Sequence, residues 1–433
     1  MQRFLFVAVT SFALVSSVIA QPPNISRWTS GTAITPVQGY SQGSPLQLTW
    51  GFMALGAAIN NDGSFPDGNN NLQTRLNNIY GSQDVWQPLF QSVFDRWSSI
   101  SGLDYIYEPN DDGAAATGFN GGILGVRADV RIGGKPLDGN SGVLAYNWFP
   151  NRGDMVIDTN DSFYLNTTNN SIRLRNVVAH EHGHGIGMAH VEGHNNLMLP
   201  SINLTFDGPQ FHDILVAQRG YGDALEKSNN FLGNDTAARA TPLGTVVPGS
   251  PVSIGNSPKI NMANNNTFVS ATQTDFISID SGTDIDFFSF SITSASNVSI
   301  LLEALGITYN ARAQGNTPPF DFNTRTRIDL RLTLFDTNGS TVLQLANNTG
   351  FGGDEFINID LFNAGTYFVR IDGTPNPDTV ALDTQFYALT ISAAAVPEPA
   401  TFALMGITLA GSIGIWRYRR RRQLQALEVN IID

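Results

Sequence analysis

The chain has 433 residues, a formal net charge of -13 and no cysteine. Its length exceeds what one hydrophobic core usually supports, so two or three folded units are expected. The acidic balance excludes a nucleic-acid partner, which needs a basic face, and the missing thiols exclude disulfides, thiolate zinc sites and a cysteine nucleophile.

In chain order, residues 1–20 read as a signal peptide: Arg3, an apolar run, then small residues ending at Ala20 before the polar start at Gln21. Residues 21–45 read as an N-terminal linker. A first unit is drawn over 46–225, where strand-like runs such as "LQLTWGFMAL", "LDYIYEP", "ADVRIGG", "GVLAYNWF" and "DMVID" alternate with two helix-like ones. The first helix is placed at about Val85 to Ser99, because Trp86, Leu89, Phe90, Val93, Phe94 and Trp97 recur at helical spacing and are core residues. The second, about Ser171 to Gly187, carries the histidines. Segregated strands and helices point to an α+β unit.

Five of the six histidines fall within Val177 to Pro200, in "VVAHEHGHGIGMAHVEGHNNLMLP". His180 and His184 are four apart, so a helix places both on one face, with Glu181 one step round it. Gly187 can take the left-handed conformation that ends a helix and turns the chain back, which brings His190 to the same ion. Three neutral imidazoles leave a tetrahedral Zn²⁺ with one open position, the catalytic rather than the structural pattern. Glu181 is the general acid/base, taking a proton from the attacking water and giving it to the leaving amine. His182 points away from that face, His194 is a solvated loop histidine, and His212 a surface residue of the closing helix.

The eleven residues His180 to His190 resemble the signature of the metzincin zinc endopeptidases, and Met198 in "NNLMLP" the methionine turn of that superfamily. The step from His190 to Met198, with Pro200 following, is most similar to the matrixin branch, as are "FQSVFDRWSSISGLDYIYE" and "HDILVAQRGYG". The likeness covers roughly Leu46 to Gly222. It implies a twisted mixed sheet plus three helices, and calcium bound at Asp138, Gly139, Asp158 and Asp161, with turn-forming aspartates as the alternative there. It also implies an extended substrate laid against the strand carrying Val143, Leu144, Ala145 and Tyr146. Matrixins hold a second, structural zinc with histidines on these strands; this chain has Tyr146 and Val156 there, so that zinc is expected to be absent. Val191 and Leu199 depart from the usual residues of the branch.

After a polar, linker-like "SNNFLGNDTAARATPLG", period-two segments appear, among them "DLRLTLFD" with Leu330, Leu332 and Leu334 on one face, and no helix-length pattern is seen up to Ser392. "MANNNTF" reads as a turn. The order of "NDTAARATPL", "DIDFFSF", "IDLRLTLFD", "NAGTYFVRID" and "FYALTIS" resembles the bacterial pre-peptidase C-terminal domain, which implies an all-β jelly-roll-like sandwich over 233–393 serving adhesion or stabilisation. Asp284 and Asp286 are either calcium ligands or strand-edge aspartates.

At 396–422 a Pro-Glu-Pro box precedes an apolar run from Ala400 to Trp416 and an arginine cluster. This resembles the PEP-CTERM sorting signal of Gram-negative bacteria, which implies recognition by an exosortase-type enzyme and delivery to the outer envelope or an exopolysaccharide matrix. About 17 residues only just cross a bilayer, so a plain anchor is the alternative. The expectation is a monomeric, exported zinc endopeptidase acting on protein or peptide substrates, with one catalytic zinc. The alternative is a non-catalytic adhesion or matrix protein stabilised by zinc.

Overall fold

The computed structural model describes residues 26–29, 41–60, 64–116, 121–315, 319–361, 363–379, 383–395, 415–417 and 419–420. The expected signal peptide, and all of the sorting segment but a few residues, lie outside these. Among the described residues no helix is long and apolar enough to cross a membrane.

The first unit runs β1 (Leu46–Phe52), α1 (Leu72–Tyr80), α2 (Gln83–Ser99), β2 (Leu103–Tyr107), β3 (Val130–Lys135), β4 (Ala145–Asn147), β5 (Met155–Asp158), α3 (Thr168–Gly185), β6 (Val191–Glu192) and α4 (Phe211–Tyr221). Five strands form one sheet in the order β2-β1-β3-β5-β4, parallel throughout except for the outer strand β4, which runs antiparallel to β5. Alternation sorts the sheet's two faces. Leu46, Leu48, Trp50 and Phe52 face the helices and join Trp86, Phe90, Phe94 and Trp97 of α2 in one core. Met53, Tyr146, Trp148 and Val156 form a smaller cluster elsewhere. The aromatic spacing of α2 thus turns directly into packing, with Trp50 stacked on Phe94 at 4.5 Å between ring centroids. α1 is a fourth helix that the hydrophobic pattern does not announce, because it buries only Leu72 and Leu76.

The second unit has β7 (Thr241–Thr245), β8 (Val252–Ile254), α5 (Ser257–Asn264), β9 (Ile277–Ile279), β10 (Asp286–Ile292), β11 (Ser296–Leu305), β12 (Thr308–Ala313), β13 (Phe320–Asn323), β14 (Ile328–Phe335), β15 (Val342–Ala346), β16 (Glu355–Leu361), β17 (Gly365–Pro375) and β18 (Gln385–Ala395). One sheet follows the order β8-β18-β11-β16, with β9 also on β18; the other follows β15-β14-β17-β10-β7. Leu330, Leu332 and Leu334 lie in the core between them, as their alternation requires. A helix stands where no helix was expected: α5 ends in "MAN", and the turn begins only at Asn265, whose φ of +46° closes it.

The linker-like passage is not a free tether, being tied to the sandwich. Asn234 accepts from the Phe287 N–H at 2.8 Å through its carbonyl and donates to the Phe287 carbonyl at 3.2 Å through its side chain. More decisively, the core of the first unit continues into the second through Val269, Phe276, Leu305, Ile307, Tyr309, Phe322 and Phe386. The expected linker at 21–45 is also built in where it is described. Trp28 is buried, its indole N–H donates to the Gly185 carbonyl at 2.8 Å, and Ser26 N–H donates to the Gly187 carbonyl at 3.1 Å.

Candidate metal centre

α3 becomes regular only after Asn169, Asn170 and Ser171, all in the left-handed region, and carries His180, Glu181 and His184 in its last turns. Its end is a Schellman motif: Met188 N–H donates to the Gly183 carbonyl and Gly187 N–H to the His184 carbonyl, both at 2.9 Å. Gly187 takes φ +106°, as a chain reversal there requires. The reversal delivers His190. Its Nε2 lies 3.2 Å from His180 Nε2 and 3.1 Å from His184 Nε2.

The opposite nitrogens decide what those contacts mean. His180 Nδ1 faces the Leu197 carbonyl at 2.7 Å, His184 Nδ1 the Met188 carbonyl at 2.7 Å, and His190 Nδ1 the Gln314 side-chain oxygen at 2.7 Å. Each partner is an acceptor, so each Nδ1 carries the proton and each Nε2 presents a lone pair. Three lone pairs aimed at one another in a buried place repel unless a cation lies between them. The separations suit zinc, since nitrogens about 2.0–2.1 Å from one tetrahedral ion lie about 3.3 Å apart. Burial, and for His180 and His184 the neighbouring imidazoles, lower the basicity of the three rings, His184 to about 3, which keeps them neutral as ligands must be.

Glu181 is fully buried and both its carboxyl oxygens lack a partner. Burial pushes its pKa well above the usual carboxylate range. Met198 is buried beneath the helix; a Cβ on Gly183 would lie 2.4 Å from its sulfur, so the glycine makes room for the methionine. Asp213 of α4 holds this turn from below, accepting from Leu197 N–H at 2.7 Å and Met198 N–H at 3.3 Å.

Residues 70–221 match the matrixin family model, residues 284–373 that of the bacterial pre-peptidase C-terminal domain, and residues 395–421 the PEP-CTERM protein-sorting motif. The first unit is a matrixin domain. The chain is similar to Metalloendoproteinase 1-MMP of Arabidopsis thaliana, with 27% identity over 176 residues, which is 36% of this chain and 45% of that protein. It is similar to a putative matrix metalloproteinase of Trichoplusia ni ascovirus 2c at 32% identity over 124 residues, 25% of this chain and 23% of that protein. The chain therefore spans less than half the length of these relatives. A solved pre-peptidase C-terminal domain of a collagenase from Bacillus anthracis aligns at 11% identity over 36% of this chain and 94% of that chain, with a TM-score of 0.19.

Elsewhere in the matrixin domain the expected residues fare differently. Val143, Leu144, Ala145 and Tyr146 lie in and just before β4, where the sheet ends, and Phe149 beyond it sits 5.5 Å from the His184 ring. Asp138, Asp158 and Asp161 are each engaged by main-chain N–H groups: Val143 on Asp138; Leu137, Gly139 and Asn160 on Asp158; Ser141 and Phe163 on Asp161. Tyr146 and Val156, opposite each other across β4 and β5, are packed in an apolar cluster, with Phe65 stacked on Tyr146 at 5.7 Å.

Among the other histidines, His182 hydrogen-bonds the Tyr105 hydroxyl at 2.6 Å, away from the metal face as expected. His212 is not on the surface: it is 1% exposed and bonds the Tyr309 hydroxyl at 2.8 Å. His194 is not simply solvated, since its Nδ1 donates to the Asn310 carbonyl at 2.9 Å and its ring packs on Tyr309 at 4.3 Å. Both corrections have one cause, the second unit covering this side of the matrixin domain.

Sequence reasoning also missed Asp213 and Gln314. The first had a signal, the Gln210-X-X-Asp213 capping box that starts α4. The second had none. A second group of metal-ligand character, Glu226, Asp284 and Asp286, offers carboxylate oxygens within 4.8 Å of one another. Asp286 Oδ1 is buried without a partner, and its neighbours Glu226 and Asp284 line an opening together with Asp235 and Asp280. Burial raises neighbouring Asp223 to about 6, and burial with repulsion from nearby carboxylates raises Asp284 to about 7 and Glu226, Asp280 and Asp286 as well.

Proposed function

We propose that this chain is an exported zinc-dependent endopeptidase that cleaves proteins or peptides outside the inner membrane. One observation carries the reading: the Nε2 atoms of His180 and His184 lie within 3.2 Å of His190 Nε2, beside a buried carboxyl that has no hydrogen-bond partner in the fold. A purely structural centre gains nothing from that carboxyl, whose unmet desolvation costs on the order of 1–3 kcal/mol or more. This weighs against the zinc-stabilised adhesion protein.

His180, His184 and His190 would hold one zinc, which when bound supplies Lewis acidity to a carbonyl and acidifies a water. Glu181 Oε accepts the proton of the attacking water and returns it to the nitrogen of the departing amine. Leu197, Met188 and Gln314 fix the tautomers, so the three Nε2 atoms need no reorganisation. An extended peptide is held along the outer edge of β4 by main-chain hydrogen bonds. One zinc per chain is expected, because Tyr146 and Val156 supply no ligand set for a second. Calcium is proposed at two places: Asp138, Gly139, Asp158 and Asp161, and the cluster Glu226, Asp284 and Asp286. At the second place Asp284 accepts from the Asp280 N–H at 2.8 Å and Asp286 from the Tyr387 hydroxyl, but Asp286 Oδ1 is buried without a partner, which a cation would satisfy. The sorting motif supports passage to the outer envelope or matrix after processing by an exosortase-type enzyme.

The test is digestion of casein or a peptide library by wild type and Glu181→Gln, with zinc content measured in both. Cleavage lost by about a thousandfold or more, with zinc retained, supports the enzyme. Cleavage by neither protein, each holding one zinc, would return the argument to a scaffold.

A further inference from the structure

The carbonyls that orient His180 and His184 belong to the matrixin domain, but the acceptor on His190 comes from the other unit. Gln314 stands in the turn after β12, which lies in neither sheet of the sandwich. β12 instead lies antiparallel to β6, the short strand that follows His190, with Arg312 opposite Glu192 and Ala313 opposite Val191. Several contacts hold this register. Arg312 forms an ion pair with Glu192 at 3.0 Å, and the Asn310 carbonyl accepts from His194. Tyr309 anchors the strand in the shared core and bonds His212. Gly193 permits the approach, since a Cβ there would lie 2.8 Å from the Asn310 oxygen.

We propose that Gln314 is a positioning residue for the third zinc ligand, so that the sandwich completes the metal centre and is more than a passive appendage. Its side-chain oxygen accepts the Nδ1 proton of His190, which fixes the tautomer and turns Nε2 toward His180 and His184. Loss of such a partner leaves the ring free to rotate and to carry its proton on the wrong nitrogen, and typically weakens metal binding roughly 10- to 100-fold. A rotatable amide on a hairpin also makes ligand geometry depend on how the second unit sits. The proposal rests on the zinc reading above.

The experiment uses the full chain as wild type, Gln314→Ala, Gln314→Met and Gln314→Glu. The Gln314 side chain is exposed, so folding is not at stake. Zinc affinity is measured by competition with a chromogenic chelator, and ligand geometry by the visible spectrum of the cobalt-substituted protein. Ala and Met variants are expected to bind zinc roughly 10- to 100-fold more weakly with an altered cobalt spectrum, whereas Glu, which keeps an acceptor, restores both. Affinities within about twofold of wild type and unchanged spectra in Ala and Met overturn the proposal, as does a Glu variant no better than Ala. A wild-type chain that takes up no zinc overturns the metal-centre reading and this proposal with it.

Discussion

Gly187→Ala tests the turn that brings His190 to its place. At φ +106° a Cβ costs about 1–2 kcal/mol in backbone strain. It would also lie 1.9 Å from the Ser26 carbonyl oxygen and 2.5 Å from its carbon, main-chain atoms that no rotamer change can move away. The strap must lift. That breaks Ser26 N–H to Gly187 O at 3.1 Å, Trp28 indole N–H to Gly185 O at 2.8 Å and Trp28 N–H to the Tyr221 hydroxyl at 3.1 Å. At about 1 kcal/mol net for each bond the total reaches about 4–5 kcal/mol, before any loss of the Trp28 ring's burial. Gly139→Ala is the control: φ is +87° there and a Cβ meets nothing within 4 Å, so only the strain of about 1–2 kcal/mol is expected. Urea denaturation of the two metal-free variants should therefore separate them by about 3 kcal/mol. Equal losses, within about 0.5 kcal/mol, would refute the argument that the strap and the turn are coupled.

Other expectations follow from the same contacts. Because one core runs through both units, calorimetry of residues 21–395 should show a single transition; two separated transitions would mean the shared core carries little energy. Asp213 titrates at about 6 against an ordinary 3.8, so its contribution is present below about pH 4 and lost as pH rises through 6, by about 3 kcal/mol. The stability of wild type minus that of Asp213→Asn, measured metal-free, should fall by that amount between about pH 4 and 7; a flat difference excludes it. Calcium at a hundredfold excess over its Kd should stabilise the chain by about 2.7 kcal/mol at pH 8. The gain should shrink at pH 5, where Asp223 and Asp284 are protonated. Asp284→Asn should remove the cluster's share of this gain while raising stability without calcium, and an unchanged calcium response in that variant removes the cluster from consideration.

The convergence of His180, His184 and His190 was legible in the chain because it obeys local rules. Four residues make one helical turn, so His180 and His184 had to share a face, and a glycine three residues later had to permit a reversal. The same holds for the aromatic stripe of α2 and the alternation of Leu330, Leu332 and Leu334. The helix α1 escaped notice since two buried leucines leave too faint a period, and α5 since its polar residues resemble a turn.

What spacing cannot reveal is which distant surfaces meet. His212 and His194 carry no local mark of burial; they are covered only because Tyr309 and Asn310, about a hundred residues further on, pack over them. Gln314 is one glutamine in a turn until β12 aligns with β6, 124 residues from the histidine it orients. Likewise Glu226 and Asp286 become one buried acidic group only when the units dock. Periodicity encodes the face a residue shows to its own element. Burial, pKa and hydrogen-bond partners depend on long-range packing, whose specificity is spread over the shared core and resides in no single motif.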